Sequence, residues 1–180
     1  MVYASDPQVA DQLFGKVKDQ LSSSEQTEIV HQLGFTISED GQTLLDPVCG
    51  LPASFKTTVE DLNRDGIPEI FVVGGNTCYS GGDGSSVSLF IRDESGHYQA
   101  YLGFPAAVYE MVDSMNAGFP DLKFGGRGFC RGVWRWTGKD YEHLRNEPEE
   151  PGGCDYVDKS FDERGHQLSE LPSLGQRRVA

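Results

Sequence analysis

The residues best suited to chemistry lie in one nine-residue stretch, Asp61-Leu62-Asn63-Arg64-Asp65-Gly66-Ile67-Pro68-Glu69. Side-chain oxygens recur at alternate positions, on Asp61, Asn63 and Asp65, and Glu69 completes the set. A short peptide wraps a hard cation in this way: alternating oxygens converge, a glycine permits the sharp turn, and a backbone carbonyl, here that of Ile67, supplies a further ligand. Ca²⁺ accepts six to eight oxygens in uneven geometry, whereas Mg²⁺ demands a stricter octahedron and retains water. The expected ion is therefore Ca²⁺, in a structural rather than catalytic role.

Position twelve of an EF-hand loop would be a bidentate Glu, and here it is Val72. The flanks are also strand-like: Lys56–Val59 is extended in character and Ile70-Phe71-Val72-Val73 is β-branched and aromatic. With its D-x-[DN]-x-D-G-x-x-[DE] core entering a strand, the stretch resembles the calcium loops of FG-GAP and integrin-type repeats.

Around this loop, the period of the sequence changes once. Val9, Leu13, Phe14, Val17 and Leu21 recur at helical spacing after Pro7. Ser22-Ser23-Ser24 interrupts them, and a second helix with a cap at Ser24 runs through Ile29, Val30 and Leu33 to a C-cap at Gly34. From Phe35 the pattern shortens. A hairpin closes at Asp40-Gly41, and strands follow at 70–73, 87–91, 98–102, 108–112, 121–124, 132–136 and 141–144. Trp134 and Trp136 share one face of their strand, expected to be the core face. The fold class expected is α+β, with N-terminal helices packed on an antiparallel meander of sandwich or barrel-like form. The organisation expected is a helical segment 1–34, a β domain 35–146 carrying the loop, and an acidic, loop-rich tail 147–180 whose last residues, 176–180, are loose. An internal echo links two stretches, Asp61–Cys78 and Phe119–Cys130. Each reads as an acidic turn, a strand, Gly-Gly and a cysteine, suggesting two related units.

The formal charge of −13 over 180 residues excludes the usual nucleic-acid binder and suits a basic protein partner. No apolar run approaches a membrane span, and the opening residues 1–6 could follow a removed signal peptide. Cys49, Cys78, Cys130 and Cys154 form no C-x-x-C pair and sit in turn-like contexts. They read as two disulfides, with three possible connectivities, in a periplasmic or secreted protein. His31, His97, His143 and His166 are scattered with no paired nucleophile, so no enzyme is expected. The loop Asn76–Ser86 carries Tyr79 among Ser and Gly and reads as a recognition element. Tyr79, Ser80 and Asp83, with His97 and Tyr98 of a second turn, are the candidate partner contacts.

At Asp61–Glu69, Asn76–Ser86 and Phe119–Trp136 the chain resembles bacterial periplasmic proteins that neutralise toxins or lysozyme-like enzymes, some with a lysozyme-inhibitor-like β-fold and an EF-hand-like loop. The resemblance implies an immunity or inhibitor protein in which a loop side chain, Tyr79 first, plugs the cleft of a peptidoglycan-degrading enzyme. The inhibitor motif Ser-Gly-x-x-Tyr is not reproduced, since Ser95-Gly96-His97-Tyr98 is one residue short. The alternative is a calcium-stabilised adhesion or scaffold module without inhibitory activity.

Overall fold

Pro7 opens the first helix, where its missing N–H belongs to a turn that has no intrahelical acceptor. This helix, α1 (Pro7–Phe14), buries Val9, Leu13 and Phe14. A single 3₁₀ turn at Lys18–Gln20 leads to α2 (Ser23–Leu33), which buries Ile29, Val30 and Leu33. The cap is Ser22, two residues before the serine expected from the sequence. Glu25 lies at the spacing that lets its carboxylate accept the Ser22 N–H while the Ser22 hydroxyl accepts the Glu25 N–H. Gly34 ends α2 as expected, in the left-handed region at φ +70°, donating its N–H to the Val30 carbonyl.

The computed structural model describes residues 7–158. The expected loose end 176–180, His166 and the N-terminal residues 1–6 lie outside the described residues. After α2 come the short strands β1 (Thr36–Ile37) and β2 (Leu44–Leu45), the expected hairpin. Eight further strands follow: β3 (Ser54–Glu60), β4 (Glu69–Gly75), β5 (Ser86–Arg92), β6 (Tyr98–Pro105), β7 (Val108–Asn116), β8 (Phe119–Gly125), β9 (Cys130–Trp136) and β10 (Tyr141–Pro148). They form two antiparallel four-stranded sheets, ordered β3-β4-β5-β6 and β10-β9-β8-β7. One helical turn, α3 (Thr77–Ser80), follows β4, and another, α4 (Asp155–Asp158), follows β10.

The first sheet is the middle of three layers, and strand alternation explains why. On β4, Ile70 and Val72 point to a core shared with α1 and α2, while Phe71 and Val73 point to a second core against the other sheet. That second core holds Leu89, Leu122, Phe124 and Trp136. Phe71 stacks on Tyr109 with ring centroids 3.8 Å apart, and Phe104 stacks on Trp134 at 5.0 Å. Trp134 and Trp136 do share the core face. The architecture is therefore α+β and sandwich-like. Each sheet stays open, so the barrel variant of the expectation does not form.

Two strands outrun their sequence signal. Pairing of β7 continues past Val112 because a register shift between Val112 and Met115 absorbs the polar pair Asp113-Ser114. Ser114 then bonds the buried Asp121 carboxylate, which also takes two bonds from Arg135. The charged end of β10 stays paired as far as Pro148 opposite Cys130, and Arg145 and Lys123 both meet Glu147 there.

The strands alternate in direction, so their connections gather at two poles. One pole carries the loops 61–68, 93–97, 117–118 and 137–140. The other carries 46–53, 76–85, 126–129 and the segment after β10. Both disulfides, Cys49–Cys78 and Cys130–Cys154, close this second pole and select one of the three connectivities. The echo in the sequence holds only for the strand and its Gly-Gly end, because Asp121 of the second stretch lies within β8 rather than in a turn. Gly74-Gly75 and Gly125-Gly126 end the second strand of each sheet, and Phe71/Val73 and Leu122/Phe124, equally spaced before them, face the shared core.

A Cβ on Gly74 would lie 2.0 Å from the Ser54 carbonyl oxygen, at a φ of +153°. Gly74→Ala is expected to cost on the order of 3 kcal/mol or more in denaturant unfolding. Gly82→Ala, with nothing within 4 Å of the added Cβ, should stay within about 0.5 kcal/mol of wild type.

Candidate metal centre

The loop between β3 and β4 coils because two of its residues, Arg64 (φ +62°) and Gly66 (φ +85°), take left-handed backbone. The three alternating side chains fold in over the loop's own N–H groups. Asp61 accepts from the amides of Asp65 at 3.1 Å and Gly66 at 3.0 Å. Asn63 Oδ1 accepts from the Asp65 amide at 3.0 Å, Asn63 Nδ2 donates to Asp65 Oδ2 at 2.9 Å, and Asp65 Oδ1 accepts from the Ile67 amide at 2.7 Å. Leu62 is buried in the core between the sheets and pins the loop. Its amide donates to Glu69 Oε2 at 2.7 Å. The Ile67 side chain is exposed.

Glu69 is the exceptional member. It is 1% exposed. Burial above all, reinforced by the negative charges of Asp65 and Asp61, pushes its carboxyl up to about 7, against the opposing Leu62 N–H bond and a smaller opposing contribution from its own amide. Among the described residues, no Lys, Arg or His forms an ion pair with Asp61, Asp65 or Glu69. Glu60 adds to the imbalance. It stands directly opposite Glu69 in the β3–β4 ladder, which places two like charges on one face of the sheet. One Glu60 oxygen accepts from the Tyr109 hydroxyl at 3.0 Å, and the other is buried without a partner. Sequence reasoning missed Glu60. Its signal emerges only when the hairpin register is written out.

These donors suit a hard cation in kind and order, and each carboxylate oxygen that accepts one N–H keeps another lone pair. The carboxylates of Asp61, Asp65 and Glu69 are not all within 4.8 Å of one another, so an ion would draw them inward. Among the described residues, the group that does lie so close is Asp46, Cys49 and Cys78, but its two sulfurs are joined in a disulfide and offer no thiolate. A cleft of about 580 Å³ opens beside the loop, between Glu69, the turn at Asp93–Ser95 and the rings of Tyr101 and Trp136.

The expected partner contacts are not brought together. Asp83 lies at the disulfide pole, where it accepts the Arg127 amide at 2.8 Å, while His97 lies at the other pole beside Glu28 at 2.7 Å. Three expectations need correction. The ring of Tyr79 is half-buried against Phe35 and Phe55, with centroids 5.7 and 6.4 Å away. Ser80 is fully buried, its hydroxyl bonded to that of Ser86. Tyr98 is fully buried, donating to the Pro68 carbonyl at 2.8 Å. Tyr79 turns inward because its loop is a fixed corner rather than a free arm. The Asn76 side chain caps α3 through the amides of Cys78 and Tyr79 and donates to Asp46, while Cys78 is bridged to Cys49. The Asn76 amide, followed by the Cys49 N–H, holds the Asp46 carboxyl down at about 2.

Comparison with known proteins finds no matching family model, no matching curated protein and no matching solved structure.

A carboxyl raised in the folded state favours folding while protonated, so its stabilising share is complete below about 4.5 and is lost as pH climbs through about 7. In chelator, wild type should therefore lose more thermal stability than Glu69→Gln between pH 4.5 and 7.5, and the variant should match or exceed wild type at the upper end. Parallel melting curves for the two proteins would contradict the assigned burial of this charge.

Proposed function

We propose that the chain is an exported calcium-binding protein that binds and neutralises a peptidoglycan-degrading or other toxin enzyme. The observation that carries the calcium half is the buried Glu69 carboxylate, with Asp61 and Asp65 beside it, none of them in an ion pair among the described residues. A divalent cation would remove the mutual repulsion and satisfy the spare lone pairs. Asp61, Asn63, Asp65, Glu69 and the Ile67 carbonyl are the ligands in this reading.

Export is supported by the two disulfides, which persist in oxidising compartments. No helix among the described residues is long and apolar enough to cross a membrane. A periplasmic or secreted setting would also supply calcium at the concentrations weak sites need. The partner half is supported by the charge of −13, which would steer a basic enzyme into contact and repel nucleic acid. The role proposed is binding rather than catalysis. The second reading, a calcium-stabilised adhesion or scaffold module, is favoured by the burial of Tyr98 and Ser80 and the inward packing of Tyr79, which take the expected plug away.

The test is an inhibition assay: cell-wall clearing by a basic peptidoglycan hydrolase, with increasing amounts of this protein, in calcium and in chelator. Stoichiometric loss of clearing in calcium, weakened several-fold by chelator or by Asp65→Ala, is the expected result. Clearing that stays undiminished across a panel of such enzymes would leave the scaffold reading.

A further inference from the structure

We propose that the cleft beside the calcium loop is a receptor for a cationic side chain, arginine first, presented by a basic protein partner. This deepens the reading above and rests on it for the nature of the partner. The site differs from the contacts expected from the sequence, because it lies at the calcium pole and uses neither Tyr79 nor Ser80.

Three features converge. First, the cleft is walled by aromatic rings, with Tyr101 meeting Trp136 edge-on at 5.3 Å, and its volume of about 580 Å³ lies in the range of small-ligand sites. Secondly, carboxylates crowd one ring. The Tyr101 hydroxyl is shifted upward, by burial first and then by the charges of Asp93, Asp140 and Glu94. Thirdly, Asp93 and Glu94 line the cleft themselves, and neither forms an ion pair among the described residues. Two cations, Arg92 and Lys139, also line the cleft. Arg92 is committed to Glu25 and lies over the Tyr98 ring at 5.1 Å, and Lys139 sits on the exposed turn at the rim.

A guanidinium answers all three features at once. It is planar and weakly hydrated, it stacks on an aromatic face, and its N–H fork meets a carboxylate in two places. A neutral ligand would gain nothing from the carboxylates, and an anion would be repelled. The rim charges Glu94 and Asp140 would act before contact, raising the rate at which a basic partner arrives.

The test is a nuclear magnetic resonance titration of the labelled full chain with a hexa-arginine peptide, in calcium and in chelator. Expected are shifts concentrated at residues 93–95, 101 and 137–140 and at the Trp136 indole. Glu94→Gln with Asp140→Asn should weaken binding about tenfold, the effect of losing roughly 1.4 kcal/mol. Glu39→Gln with Glu150→Gln, an equal charge change on exposed acids outside the cleft, should cost less than about twofold. Tyr101→Phe keeps the ring and should bind as wild type, whereas Tyr101→Leu should not. Shifts spread evenly over the surface, or equal losses for the two double variants, would overturn the proposal. Specific peptide binding without inhibition of any hydrolase would sustain the cleft and remove the enzyme-neutralising reading. Inhibition that survives Glu94→Gln with Asp140→Asn would do the reverse.

Discussion

The fold depends on the contact between two sheets that each have a face water cannot be allowed to reach. Phe71, Leu89, Leu122 and Trp136 meet in one core, and on the far side of the first sheet the helices cover Ile70, Val72 and Phe90. Burial of this many large side chains is the main favourable term available to a chain of this size. Once the two meanders are stacked, little else is free to vary. Every connection must emerge at one of two poles, and the repeat of four strands fixes which pole each loop joins.

The poles then differ in how they manage their backbone. One is cross-linked by two disulfides and by Asp83 accepting the Arg127 amide across the two sheets. Its buried acid, Asp46, is held ionised by donors: three backbone amides and the Asn76 side chain. The other pole has no covalent closure among the described residues, and its buried acid is treated differently. Glu69 receives the Leu62 amide and faces other carboxylates. Two carboxylates equally hidden from solvent thus shift in opposite directions, Asp46 held down by its donors and Glu69 pushed up chiefly by burial. A cation at the second pole would make the settings alike, and would close that end as the disulfides close the first.

The sequence was most legible where the information is local. Oxygens at alternating positions with a glycine between are confined to nine residues, and the loop adopts the inward arrangement that spacing implies. Helix periodicity, the Gly34 cap, the strand count around the Trp pair and the Gly-Gly repeat were readable for the same reason. Non-local facts were not. Tyr79 and Tyr98 look like exposed aromatics among polar residues, but the packing of helices against the first sheet buries Tyr98 and half-buries Tyr79. The role of Glu60 needs the register opposite Glu69, and the continuation of β7 needs a bulge that no residue type announces. At Ser22 the clue was present: the capping glutamate is three residues on, while the nearer serine drew attention first.

The central claim is that the uncompensated carboxylates at the open pole are a calcium site. Isothermal calorimetry of calcium into the chelator-stripped full chain addresses it most directly. The account predicts saturable binding of a single ion per chain, with affinity in the range of about 10⁻⁴ to 10⁻³ M typical of extracellular modules or tighter. Heats indistinguishable from dilution at millimolar calcium would contradict it, and would leave Glu69 as a buried acid that titrates near neutral pH.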